Sequence, residues 1–303
     1  MNKIERSIEE IFEFGWKYFI RYRLIGRIRG CAYKQQTTLS YLRDRYGWVA
    51  RTELLPMCVE PNPYPDTIWV CWWQGEDQMP EIVRACYASL KKYCNGHPIR
   101  LITKDNYREY IELPDWVETK FHEGKISITH MSDYIRFSLL SLFGGLWMDA
   151  TLYLTGNLPK KIPYFFTLKQ EEEYNDSYIS RHRWAGYCLG GNMRNPLWRY
   201  TYEFLLMNYW REHSRLIDYF IMDYAIEILY EGNRYIRRII DICGYSNPDV
   251  AFFSKKGNEK FNADRWKEIT ERTQIFKLSW KADIRIKTDE GKCTYYGYVM
   301  GYE

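Results

Sequence analysis

The chain is poor in metal-chelating spacings. It carries five histidines and eight cysteines among 303 residues, and no two cysteines form a C-x-x-C pair. That excludes a zinc-finger or iron–sulfur framework, and scattered thiols in a chain this size read as reduced cysteines of a cytoplasmic setting. The chain also lacks an apolar run near the ~20 residues that a membrane-spanning helix needs. Arg and Glu interrupt every early apolar stretch, so no signal peptide is expected. Neither sign of charge dominates: 43 basic against 39 acidic residues leave a net charge of +4, too little to demand nucleic acid.

One local absence is sharper. No acid occurs between Phe14 and Arg43, while Lys17, Arg21, Arg23, Arg27, Arg29 and Lys34 do. Ile4, Ile8, Ile11, Phe12, Trp16, Phe19, Leu24 and Ile28 interleave with the charges. Residues 1–60 are therefore expected to form a basic amphipathic helical region. Two readings stay open. Residues 1–45 could lie on an anionic membrane surface, which would make the protein peripheral on the inner face of the plasma membrane. They could equally pack on the following domain with their charges in water. No nucleic-acid motif accompanies them.

Four prolines, Pro56, Pro61, Pro63 and Pro65, read as a linker. Residues 67–73 are β-branched and aromatic without charge, as in a central strand. Pro80 opens an amphipathic helix to residue 93, and residues 99–103 read as a second strand. Alternating strands and helices predict a parallel sheet of a nucleotide-binding α/β fold. Aromatics make up 18% of the chain, with 28 Tyr and 12 Trp. Such rings stack on pyranose faces, but most are expected to fill the core.

The most informative string runs from His130 to Thr151. Asp133 and Arg136 are three apart, on one face of a helix that the apolar residues 137–143 carry inward. Gly144 and Gly145 break that helix. Leu146, Trp147 and Met148 read as a short buried strand ending on Asp149. A carboxylate at the end of a buried strand, one helix away from a charged pair, is how α/β folds build ligand sites. Taken separately, the pair could be a surface ion pair and Asp149 a turn cap. Ser132 is a candidate N-cap, and His130 serves as a cap or a base.

This string resembles the sugar-nucleotide site of glycosyltransferases with a DXD sugar-binding region, and most of all that of the bacterial capsular polysaccharide synthesis proteins. The shared pattern is Ser-Asp-x-x-Arg followed by Gly-Gly-x-x-x-Asp-x-Asp. It is met here by Ser132, Asp133, Arg136, Gly144, Gly145 and Asp149. Thr151 stands where the second Asp would be, a form similar to the capsular branch. The resemblance implies a GT-A-like α/β fold with a mostly parallel central sheet over residues 61–303 and an N-terminal helical appendage. It implies transfer from a nucleotide-sugar donor to a saccharide or lipid-linked oligosaccharide acceptor, with retained anomeric configuration. Asp149 would meet the donor ribose or a metal, and Asp133 with Arg136 the ribose and sugar hydroxyls. Trp73 and Gln74 would hold the base; the alternative for Trp73 is core packing.

Further donor contacts are expected from Gly144, Gly145, Gly191 and Asn192, since a glycine pair lets a backbone approach a pyranose; a plain strand–helix turn is the alternative. Ser279, Trp280 and Lys281 loosely match a segment that closes over the diphosphate, or else form an amphipathic strand with exposed lysines. Lys277 or Lys281 could neutralise the leaving group. A divalent cation, Mn or Mg, is expected on Asp149, Thr151 and Ser279, weakened because Thr151 is neutral; the alternative is that Thr151 faces the core. Asp218 and Asp223 sit in an apolar stripe, with Asp223 favoured beside Asp149 as a catalytic acid on the acceptor side; Arg237 or Arg238 could pair with either. The acidic run 171–176 is a solvated or acceptor loop. The rival from another class is a non-catalytic nucleotide-sugar-binding or scaffold protein, which Thr151 favours. A nucleotidyltransferase would need a Gly-rich basic loop after the first strand, and residues 73–77 lack one.

Overall fold

The computed structural model describes residues 3–51, 66–170 and 178–303. The proline-rich linker and the acidic run expected at 171–176 lie outside those residues. Among the described residues seven strands form two sheets: β1 (Ile68–Cys71), β2 (Ile99–Ile102), β3 (Gly145–Met148), β4 (Leu152–Leu154), β5 (Phe165–Thr167), β6 (Cys188–Gly191) and β7 (Ile275–Lys277). The main sheet has the order β2-β1-β3-β6-β5, and β4 pairs with β7 in a small second sheet. β1 is parallel to β2 and to β3, while β6 runs antiparallel to β3 and β5. Four strands thus share one direction, as the α/β reading expected, and β6 alone opposes them.

The helices that matter below are α1 (Lys3–Phe14), α2 (Cys31–Tyr46), α3 (Glu81–Tyr93), α4 (Ile128–Phe143), α5 (Pro196–Tyr202) and α6 (Ile221–Gly232). The absence of charge from the central strands now has its reason, because both sheet faces are covered. Trp69, Trp147 and Leu189 point into a core with α4, α5 and α6. Their neighbours Ile68, Val70, Leu146 and Met148 point into a second core with α3 and the C-terminal segments. Phe14, Tyr18, Leu39, Leu42 and Tyr46 join the first core, so the N-terminal helices are packed onto the sheet domain.

Several expectations need correction. α4 is capped by Ser127, whose hydroxyl accepts from the His130 amide at 3.4 Å; the helix starts a turn earlier than Ser132 would allow. Ser132 donates instead to the Thr129 carbonyl. Asp218 and Asp223, expected in one apolar stripe, are divided: α6 begins at Ile221, so Asp218 lies outside it and accepts from the Phe220 amide at 3.0 Å. Gly190 and Gly191 lie inside β6 rather than in a turn after it.

Candidate active site

The chain leaves β1 towards β2 on one side and returns in β3 on the other, so the connections diverge at the carboxyl ends of β1 and β3, the kind of switch point at which α/β sheets place ligands. Asp149 sits there, directly after β3. Its amide donates to the Tyr187 carbonyl at 2.9 Å, which fixes the backbone. Its carboxylate is divided between partners. Oδ1 accepts from Trp147 Nε1 at 3.0 Å and from Arg136 Nη2 at 3.4 Å. Oδ2 accepts from Lys277 Nζ at 2.7 Å.

Arg136 is the hub on the α4 side. Nη1 donates to Asp133 Oδ1 at 3.0 Å and approaches Met222 Sδ at 2.8 Å, and the guanidinium lies over the Trp147 ring at 4.8 Å. Its Nε is buried without a hydrogen-bond partner among the described residues. The three-residue spacing read from the sequence does form an ion pair, but a buried one rather than a surface one.

Burial acts unequally on the three acids. It pushes the Asp133 carboxyl up to about 6, against the opposing pull of Arg136. It also pushes Asp223 up to about 6, although Trp184 Nε1 donates to its Oδ1 at 2.8 Å. Burial would raise Asp149 too, but Lys277 and Arg136 outweigh it and hold that carboxyl below its ordinary value. One acid is therefore firmly ionised between two cations, and two flanking acids titrate closer to neutrality. His130 is depressed by burial; its ring meets Ser127 Oγ at 2.7 Å and the Tyr219 carbonyl at 3.4 Å. Both ring nitrogens are thus taken by protein partners in a buried position, which suits packing.

The structure brings some expected residues together and separates others. Asp133, Arg136, Asp149, Thr151 and Lys277 form one connected network. Asp223 adjoins it, since Met222 touches Arg136 and the charge on Asp133 contributes to the Asp223 shift. Arg237 does not pair with it, donating instead to the carbonyls of Tyr230 and Glu231. Trp73 and Gln74 follow β1 on the same edge as Asp149; Trp73 packs on Tyr107 and Phe121 at 5.3 and 5.5 Å, and Gln74 is exposed. Trp280, with Lys281 over its ring at 5.2 Å, meets the Trp72 ring edge-on at 5.9 Å and forms a rim. Ser279 is exposed and accepts from the Lys281 amide at 3.3 Å.

Gly144, Gly145, Gly191 and Asn192 are elsewhere. Gly145 pairs with Gly191 at the opposite end of β3, roughly 13 Å of strand from Asp149. A Cβ on Gly145 would stand 2.3 Å from the Thr67 carbonyl oxygen, and one on Gly191 would stand 2.1 Å from that of Tyr164. These glycines let strands approach each other, not a sugar. Asn192 caps the turn there, accepting from the Arg194 amide at 2.8 Å. The residues that face Asp149 across β6 are instead Gly186 and Tyr187. A Cβ on Gly186 would meet Met222 Cε at 2.1 Å, with Arg136 Nη1 at 3.9 Å.

Sequence reasoning placed the stretch 184–196 beside the donor sugar by resemblance but gave no individual part to Gly186 or Tyr187, and none to Met222 or Tyr219. Tyr219 is 62% exposed, yet its hydroxyl feels burial and the charges of Asp133 and Asp149, which puts an open ring beside the site. The antiparallel turn-back of β6 would have marked Gly186 and Tyr187, but nothing local in the sequence gives that direction.

The donor set expected for a divalent cation does not fit one. Lys277 Nζ lies 2.7 Å from Asp149 Oδ2 and 2.7 Å from Thr151 Oγ1, bridging the two oxygens a cation would use. Thr151 therefore faces the site and not the core. Among the described residues, no three His, Cys, Asp or Glu side chains converge as metal ligands.

Comparison with known proteins agrees with this picture at the level of family. No curated protein matches the chain. Among solved structures it is similar to the PaToxG glycosyltransferase, at 12% identity and a TM-score of 0.37, over 78% of this chain and 92% of that one. The profile of the capsular polysaccharide synthesis proteins matches residues 28–299, which takes in the whole Asp133–Asp149–Lys277 network. The chain belongs to the capsular polysaccharide synthesis protein family.

Proposed function

We propose that the protein is a glycosyltransferase that moves a sugar from a nucleotide-sugar donor to a saccharide acceptor in surface polysaccharide assembly. The observation that carries this reading is Asp149, ionised and held between Lys277 and Arg136 at the carboxyl edge of β3. The reaction asks little covalent chemistry of a protein. It needs the diphosphate charge to be met by fixed cations and the sugar to be oriented and shielded from water. Arg136 and Asp133 suit the ribose or sugar hydroxyls, and the orphaned Arg136 Nε offers a further donor. Trp73 and Gln74 at the end of β1 suit the base. Tyr219 and Trp280 offer exposed rings for pyranose faces. Asp223, next to the Met222 that touches Arg136, suits the acceptor hydroxyl. Retention of anomeric configuration is part of the proposal and is read from the product's anomeric proton coupling.

The test is release of nucleoside diphosphate from a panel of nucleotide sugars, with an oligosaccharide or lipid-linked acceptor. Turnover with at least one donor is expected. Donor binding without turnover on any acceptor would favour the non-catalytic scaffold instead.

A lipid surface is proposed as the partner of the N-terminal helices. On α1 the burial is inverted: Glu10 is buried, bound by Arg23 through both carboxylate oxygens at 2.9 and 3.0 Å, while Phe12 is 86% exposed. Ile4, Ile8, Trp16, Leu24 and Ile28 are exposed as well, and Arg27 and Arg29 stand beside them. Outward apolar side chains among cations match an anionic interface, where the lipid-linked acceptor would reside. No helix among the described residues is long and apolar enough to cross a membrane.

A further inference from the structure

We infer that Lys277 takes the place of a divalent cation in this site: its ammonium is the positive charge that meets the donor diphosphate, and nucleotide binding requires no metal. The inference rests on the reading of the donor as a nucleotide sugar and specifies how that donor is held.

Three observations lead to it. The first is position. Asp149 Oδ2 and Thr151 Oγ1 are each 2.7 Å from Nζ, the length of a charge-assisted hydrogen bond. A dication bonded to those same oxygens at ~2.1 Å would coincide with the ammonium, so one excludes the other. The second is charge. Asp133 and Asp149 face Arg136 and Lys277, two acids against two bases, and a dication would find no surplus negative charge. The remaining acid, Asp223, is turned to the Trp184 indole.

The third is rigidity. Lys277 ends β7, where it is paired in register with Leu152, and the Leu278 amide donates to the Thr151 carbonyl at 2.9 Å. The backbone thus brings the lysine to the loop that carries Asp149 and Thr151, and the Tyr187 ring lies 5.0 Å from the ammonium. An ammonium has three N–H bonds. Asp149 and Thr151 take two, and with 30% of the side chain open to solvent the third can serve a phosphate oxygen. Thr151 gains a clear purpose: a second carboxylate there would draw the ammonium away from a ligand, while a hydroxyl steadies it without competing charge.

The experiment has two arms. In the first, Mn²⁺ alone is titrated into the full chain and free Mn²⁺ is read by electron paramagnetic resonance. No bound Mn²⁺ is expected up to about millimolar concentration, the weak end of protein sites for hard cations. Uptake of Mn²⁺ by the wild type that Asp149→Asn abolishes would overturn the inference. In the second, calorimetry measures nucleoside diphosphates and inorganic pyrophosphate in EDTA and in Mn²⁺. Wild-type affinity should agree between the two conditions. Lys277→Met should weaken both ligands by about 10- to 100-fold, the worth of one charged hydrogen bond, and leave the unphosphorylated nucleosides unaffected. Lys277→Arg keeps the charge and should recover most of the loss, which also covers a Met variant that folds poorly. Undiminished pyrophosphate binding by Lys277→Met would refute the assignment. If no nucleotide binds at all, the transferase reading fails, and the Mn²⁺ arm still decides the role of Lys277.

Discussion

Lys277 and Asp149 are 128 residues apart in the chain and 2.7 Å apart in the fold. The contact joins the end of a central strand to the end of a small peripheral one, and it gives the site its charge balance. Removing Asp149 leaves two cations, Lys277 and Arg136, without the anion between them, while removing Lys277 leaves Asp149 with Arg136 as its remaining cation. Asp149→Asn should therefore reduce turnover by about 100-fold or more, because the cations proposed to meet the diphosphate lose the anion that orients them. Circular dichroism and melting should show an intact fold. Wild-type turnover in that variant would remove Asp149 from the mechanism.

If Asp223 meets the acceptor as proposed, it sets the acid limb of activity. With its carboxyl pushed up to about 6, activity should fall roughly tenfold per pH unit below that value if the anion is required. The sign for stability is the reverse. The folded state holds this proton more tightly than the unfolded chain between pH ~4 and ~6, so the ionised form costs stability above pH ~6. Asp223→Asn should melt higher than wild type at pH 8 by roughly 1–2 kcal/mol, match it near pH 4, and lose most activity. A limb that persists unchanged in the residual activity would transfer the titration to Asp133, whose carboxyl is also near 6.

Two glycines should behave oppositely. Gly145 has φ +88°, and a Cβ there would meet backbone of β1, so Gly145→Ala should cost about 3 kcal/mol or more and yield little folded protein. Gly186→Ala meets only the flexible end of Met222. It should fold normally but disturb the contact between Met222 and Arg136, weakening nucleotide binding by about tenfold, the scale of one lost charged contact. Equal melting loss in both variants would contradict this division.

The N-terminal face can be separated from the fold. Phe12→Ser with Ile28→Ser should leave the melting temperature unchanged, because both side chains are over 85% exposed, and reduce cosedimentation with anionic vesicles. Arg27→Gln with Arg29→Gln should do the same in a salt-sensitive way, each charge contributing roughly 1 kcal/mol at such a surface. Arg23 is not suitable for this test, since it neutralises the buried Glu10. Unchanged sedimentation would refute the lipid partner, and concentration-dependent dimers abolished by Phe12→Ser would assign the face to a second copy of the chain.

The sequence was most legible where local pattern and burial coincide. The uncharged stretch at β1 and the helix–Gly–Gly–strand string announced themselves because every residue in them answers to one environment. Asp133 and Arg136 could be paired from spacing alone. The glycines misled: Gly145 and Gly191 look like ligand cradles in one dimension, yet they satisfy a packing demand around β3 and β6 that exists only once the sheet is assembled, and Gly144 ends α4 at positive φ. Ser132 misled because a serine one turn earlier was equally able to cap. Lys277 drew notice only as a possible counter-charge for a leaving diphosphate; its true neighbours depend on β4–β7 pairing, a long-range choice that leaves no periodicity behind.

That same pairing has a consequence for synthesis of the chain. All five strands of the main sheet, with Asp133, Arg136 and Asp149, emerge from the ribosome well before β7. Until β7 docks on β4, this edge of the sheet carries Asp133 and Asp149 but only Arg136 of its two bases, which disfavours an anionic ligand. If the donor is a nucleotide sugar as proposed, its engagement would be deferred until the second sheet closes, and its binding would hold β7 in place.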